Sequence, residues 1–186
     1  MFTIGFFGAS GAGKSALINH FLGAYAAPSD CSMGMAITKL VTRYDSRDFP
    51  NSLFRLPVIL VDTPSSGNDG GPKRAQDSVA EFGRFDIHVI VEQQGCPPYE
   101  LMKLLDKNVN AGTRVVMVTH VLGNVDTEAE MERVLPSYWK ALKGTPELTF
   151  VMEPDVDKND LEWKRLYATK HTNDFLGVVW DMMRKE

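Results

Sequence analysis

Gly8-Ala9-Ser10-Gly11-Ala12-Gly13-Lys14-Ser15 sets two glycines, a lysine and a hydroxyl at the spacing G-x-x-x-x-G-K-S. That spacing suits capture of a phosphate chain. The glycines let the backbone wrap closely, so that N–H groups from Ser10, Gly11, Ala12, Gly13, Lys14, Ser15 and Ala16 point inward. Lys14 adds a mobile positive charge for the β- and γ-phosphates, and the Ser15 hydroxyl is a ligand for Mg²⁺. A second oxygen donor comes from Val58-Ile59-Leu60-Val61-Asp62-Thr63-Pro64, where a carboxylate follows a buried apolar run. Ligands of open α/β sheets bind at the carboxyl ends of strands, and Asp62 in that place would hold Mg²⁺ with Ser15. Asp-Thr-Pro alone is a weak signal; paired with the glycine loop it is a strong one.

These groups need a strand, a turn and a helix N-terminus to hold them. Phe2-Thr3-Ile4-Gly5-Phe6-Phe7 reads as a short buried strand. Ile18, Phe21 and Leu22 recur at helical spacing after the loop, and Gly23 is placed to end that helix. Residues 25–38 lack periodicity and read as a long loop, a kind usually kept for function. Lys39–Tyr44 alternates as a half-solvated strand, Asp45–Ser52 turns, and Leu56–Val61 is a buried strand ending on Asp62. Those two strands form an antiparallel pair at the sheet edge. Strands then alternate with helices: Ile87–Val91, Arg114–Thr119 and Leu148–Met152, with helices at Ala75–Phe82, Tyr99–Asn110 and Thr127–Leu142. A last helix is expected from about Asn173 to Arg184, with Phe175, Leu176, Val179, Met182 and Met183 as its core face. The expected class is α/β: a mainly parallel sheet with one antiparallel edge strand and helices on both faces.

The 186 residues fit one domain covering 1–186. Hydrophobic residues make up 44% and charged residues 24%, values of a soluble globular chain. A net charge of −4 and a pI near 5.6 argue against nucleic acid or an anionic membrane as partner. Two cysteines, Cys31 and Cys96, are too few for a disulfide framework or a four-cysteine metal site. Neither a signal peptide, a transmembrane run nor a lipidation motif is read, so the expectation is a cytoplasmic protein without its own membrane anchor. His20, His88 and His171 match no metal-ligand spacing and read as structural.

The opening G-A-S-G-A-G-K-S followed by Leu17-Ile18-Asn19-His20-Phe21-Leu22-Gly23 resembles translation-factor-class GTPases. Septins, the immunity-associated GTPases and the chloroplast-import receptor GTPases share this opening, and the resemblance extends to about residue 120. It implies a Ras-like fold that binds GTP or GDP with Mg²⁺ and hydrolyses GTP. Residues 25–38 become the first switch loop, ending on Thr38, whose hydroxyl would join Ser15 and Asp62 around the metal when a γ-phosphate is present. The same Thr38 also fits as the first residue of the following strand. Asp62-Thr63-Pro64 matches the family's third motif, and residues 65–74 become the second switch, with Ser65 in place of the usual Gly. Partners would be a second copy in a homodimer, or an effector protein.

Guanine reading is where the resemblance thins. After Arg114–Val118 the family has Asn or Thr, Lys, any residue, then Asp; this chain has Thr119-His120-Val121-Leu122. Thr119 fits and His120 matches an import-receptor variant, but Leu122 cannot accept a hydrogen bond from the base. Asp126, Glu153 or Asp155 are the alternative acceptors, with Glu153 placed in the last guanine loop. Ser66 stands where Ras-like enzymes carry the water-orienting Gln, so slow hydrolysis is expected; Arg74 or Lys73 either acts as a charge clamp across a dimer or simply solvates the loop. The alternatives are a non-catalytic nucleotide-binding scaffold and a P-loop ATPase or kinase without a base filter.

Overall fold

The computed structural model describes residues 1–28, 40–64, 85–93, 114–120, 148–151 and 162–184. Its centre is β1 (Phe2–Gly8), an apolar run buried on both faces. β1 lies parallel between β3 (Val58–Asp62) and β4 (Ile87–Gln93), which is why the run does not alternate with polar residues. β2 (Thr42–Asp45) pairs antiparallel with β3 at one edge; β5 (Arg114–His120) and β6 (Leu148–Val151) extend the sheet at the other. The order is β2-β3-β1-β4-β5-β6. All strands but β2 run parallel, so Gly8, Asp62, Gln93 and His120 end on one edge of the sheet.

Two described helices meet over one face. α1 (Lys14–Leu22) buries Leu17, Ile18, Phe21 and Leu22 against Ile4, Phe6 and Leu60. α2 (Glu162–Met183) adds Phe175 and Val179 to the same cluster. Phe21 is the hub, with ring centroids 4.9 Å from Phe175, 5.5 Å from Phe54 and 6.3 Å from Phe6. Truncating a ring so enclosed typically costs about 3–5 kcal/mol. On the opposite face the rings of Phe7, Phe85 and His88 cluster with centroids 5.7–5.8 Å apart, Phe7 stacked on His88 and Phe85 set edge-on to it. Phe85 closes over Gly5, where an added Cβ would lie 2.5 Å from its ring. The helices expected at 75–82, 99–110 and 127–142 lie outside the described residues.

α1 ends as its sequence predicts. Gly23 takes φ 61°, the left-handed conformation, and its N–H and that of Ala24 close on the carbonyls of His20 and Asn19. An added Cβ there would also strike the Asn51 carbonyl at 2.4 Å, so the position has no room for a side chain.

Three expected starts move. β2 starts at Thr42 rather than Lys39, because β3 stops at Asp62, its partner in register, and a strand needs a ladder to continue. β3 starts at Val58 rather than Leu56. Pro57 has no N–H to donate, and the Val58 amide goes to the Ser46 hydroxyl at 3.0 Å. α2 begins at Glu162, eleven residues before the expected start at Asn173. Glu, Lys, Arg, Leu and Ala in 162–172 favour helix without forming the regular apolar stripe that marks residues 175–183. No described helix is long and apolar enough to cross a membrane.

Candidate functional site: a phosphate cradle beside a hydroxyl–carboxylate pair

The loop between β1 and α1 brings its glycines into conformations other residues resist: φ is 155° at Gly8, 73° at Gly11 and 93° at Gly13. Gly8 is also the place of closest approach. A Cβ there would lie 2.1 Å from the Val91 carbonyl of β4, so the loop hugs the strand only with glycine. Ser10, Gly11 and Ala12 carry the turn, with Ala12 N–H bonding the Ala9 carbonyl at 3.3 Å.

Gly13 caps α1 without a side-chain hydrogen bond, and the first turn holds no acidic residue. Helix starts commonly use Ser, Thr, Asp or Asn to satisfy their free N–H groups. Leaving the first turn, which includes Ser15 and Ala16, without such a cap suits an anionic ligand at the positive end of the helix dipole.

Lys14 opens α1 and folds back over the loop, with Nζ donating to the carbonyls of Gly8 at 3.2 Å and Ala9 at 3.0 Å. Only 6% of the residue is exposed. Burial pushes its ammonium down to about 8, and the Asp62 carboxylate opposes that fall.

One residue further on, Ser15 Oγ donates to Asp62 Oδ2 at 2.7 Å. Asp62 is buried at the end of β3, directly opposite Thr42 of β2. Burial and then the Asp62 charge raise the phenol of nearby Tyr44, while its bond to Thr42 lowers it. The site therefore joins a buried ammonium, a hydroxyl and a carboxylate where β1, β3 and α1 meet. Among the described residues no group of three or more His, Cys, Asp or Glu gathers elsewhere to hold a metal.

Of the residues singled out from the sequence, the structure brings together Ser10, Gly11, Ala12, Gly13, Lys14, Ser15, Ala16 and Asp62. Thr119 and His120 end β5 on the same sheet edge, in register with Glu92 and Gln93 of β4. Thr38 and Glu153 lie outside the described residues. Three polar contacts were not anticipated. Thr63 donates its hydroxyl to the Phe6 carbonyl at 2.6 Å, tying the end of β3 to β1. The Asp86 carboxylate accepts from both the N–H and the hydroxyl of Thr3, at 2.6 and 3.0 Å. Asn19 holds the chain beyond α1 through Ala26 and Ala27. A groove of about 340 Å³ between residues 53–58 and α2 lies at the opposite end of β3 from Asp62 and takes no part in this site.

Comparison with known proteins agrees with this fold. Toc33 from Arabidopsis thaliana, solved with Mg²⁺ and GMPPNP, superposes with a TM-score of 0.64 at 13% identity, over 97% of this chain and 85% of that one. A structure concerned with dimerization in the GTPase activity of the chloroplast translocon components atToc33 and psToc159 gives 0.55 at 14%, over 86% and 73%. The SsGBP variant G235P gives 0.56 at 17%, over 91% of this chain but only 56% of that one. At such identities these structures share the fold. The family model described as 50S ribosome-binding GTPase matches residues 3–135, which include the loop, the Ser15–Asp62 pair and the end of β5. The chain is a member of that GTPase family.

Proposed function

We propose that residues 1–186 form one GTP-binding switch domain that depends on Mg²⁺, hydrolyses GTP slowly and gains its full rate in a homodimer. The observation that carries this reading is the convergence of Lys14 with the Ser15–Asp62 pair at an uncapped helix start. The N–H groups of residues 10–16 receive the phosphate chain, and the Lys14 ammonium exchanges its carbonyl partners for β- and γ-phosphate oxygens. A hydroxyl and a carboxylate oxygen 2.7 Å apart are hard donors, and few protein ligands suit an ion that keeps several waters. Ser15, Asp62 and Thr38 would hold Mg²⁺, which when bound neutralises phosphate charge.

Residues 40 and 41 precede the first residue of β2, which supports a role for Thr38 ahead of the strand. Thr42, the partner of Asp62, lies four positions further along the chain, and such a span reaches at most ~14 Å. Thr119, His120 and Glu153 are assigned to the base side. The work on dimerization in atToc33 and psToc159 supports a partner-completed site. An effector protein is the other partner this reading allows, and the cytoplasm its setting.

The test is GTP turnover as a function of protein concentration. With Ser66 where the water-orienting Gln would stand, dilute protein should turn over no faster than about 3–5 × 10⁻⁴ s⁻¹, and the specific rate should rise as protein self-associates. A fast, concentration-independent rate would defeat the dimer reading. No turnover at any concentration would leave a nucleotide-binding scaffold.

A further inference from the structure

We infer that the groove between residues 53–58 and α2 is a self-association surface, covered by a second copy of this chain across a two-fold axis that sets Arg55 of each copy against Asp181 of the other. The groove holds about 340 Å³, and Leu56, Val58, Leu176 and Val179 are among its lining. Its two walls also leave large apolar side chains open to water: Leu53 is 38% exposed on one and Trp180 40% on the other. A contiguous apolar surface of this kind is what an interface buries.

Gly177 lines the same groove from the interior of α2, where glycine weakens a helix relative to alanine. It is not among the glycines with positive φ, and an added Cβ would meet nothing within 4 Å. Neither the backbone conformation nor the packing described within one copy calls for glycine there. Close approach from outside does. Trp180 stands three positions further on, on the same face of the helix. An open notch and a protruding ring thus lie side by side, as a two-fold contact requires, where the ring of each copy meets the notch of the other.

The charges select the occupant. Arg55 on one wall and Asp181 on the other are both exposed, and neither makes a hydrogen bond or ion pair among the described residues. A polyanion or an anionic bilayer would be repelled by Asp181, and a polycation by Arg55. The partner must bring both signs, and this groove carries both. A second copy turned by half a rotation gives each guanidinium a carboxylate and each carboxylate a guanidinium. The apolar floor then supplies affinity while the charges fix orientation. The contact is separate from the homodimer proposed at the nucleotide edge, because the groove lies at the opposite end of β3 from Asp62.

The experiment is sedimentation velocity over a concentration series on the nucleotide-free chain, for wild type, Arg55→Asp, Asp181→Arg, the double variant, an equimolar mixture of the two single variants, and Gly177→Leu. Wild type should dimerise as concentration rises. Each single reversal should weaken the dimer at least about tenfold, because it places like charges together twice across the axis. The double variant and the mixture should both return to within about threefold of wild type, since in each every carboxylate again faces a guanidinium. Gly177→Leu should weaken the dimer at least about tenfold, yet its urea midpoint should equal or exceed that of wild type, because leucine favours helix and enters open space. Should Gly177→Leu fail to fold, Gly177→Ala carries that arm with a loss of about threefold. A wild type that stays monomeric without nucleotide, single reversals whose mixture does not associate, or a dimer untouched by the glycine substitution would each overturn the inference. Association seen only with GTP would belong to the nucleotide edge and would overturn it as well.

Discussion

Replacing Lys14 by Met should make the empty protein more stable at neutral pH while removing most of its affinity for nucleotide. In the empty fold the ammonium is 6% exposed and its pKa falls from 10.5 to about 8, with burial as the cause. Such a fall corresponds to about 3 kcal/mol of destabilisation wherever the lysine is charged in both states. Against this, Lys14→Met strips two carbonyls, Gly8 and Ala9, of a donor, at about 1 kcal/mol each. The variant should therefore be more stable by about 1 kcal/mol at pH 7. Between pH 8 and 10.5 the unfolded chain binds the Lys14 proton more tightly than the folded one, so raising the pH stabilises the wild type. Relief is complete above 10.5, and below about 8 the penalty is present in full. The difference between the two proteins should swing by about 3 kcal/mol across that window, ending with the wild type ahead. Urea unfolding of both nucleotide-free proteins from pH 7 to 10.5 reads it directly, since other titrating groups cancel. Stabilities that run parallel, with a swing below about 1 kcal/mol, would refute the argument. In a complex the phosphates would add to the Asp62 charge that faces the ammonium, which is why the same substitution should cost binding.

With Leu122 where the base-reading Asp is expected, GTP should be preferred over ATP by far less than the ~10⁴–10⁵ of sites built to hydrogen-bond their substrate. Competition binding measures this, and a preference of that size would mean Asp126, Glu153 or Asp155 supplies the acceptor. Away from the site, Asp86→Ala should destabilise the fold by about 2 kcal/mol, since Thr3 loses an acceptor for both its N–H and its hydroxyl. Chemical denaturation should show that loss with GDP affinity unchanged; a cost below about 0.5 kcal/mol would mean water replaces the carboxylate.

The phosphate side was legible because its chemistry dictates backbone conformation. Gly8 must be glycine where β1 meets the Val91 carbonyl, and Lys14 and Ser15 must open a helix. The place of Asp62 was legible for a related reason: a charged residue ending a buried apolar run has few places to go other than a strand end at the edge of the sheet. What escaped was set by partners distant in the chain. The start of β2 depends on where β3 ends, and local alternation at 39–44 carries no trace of that. The clamp by Asn19 depends on the chain after Gly23 turning back past α1, and the bond from Thr63 to Phe6 depends on strand adjacency. Residues 162–172 were missed for a different cause, since they favour helix by composition but lack the regular apolar stripe, the stronger signal, which in the sequence begins only at Phe175. Base recognition is the extreme case. It asks one side chain for an acceptor and asks nothing of the backbone, so no glycine, turn or strand end marks a substitute once Leu122 stands there. The ends of β4 and β5 bring Thr119 and His120 to the edge that carries the phosphate loop. On the proposed reading the sheet would deliver the base side of the site whatever residue does the reading, so that fold and phosphate chemistry would stay fixed while selectivity is free to vary.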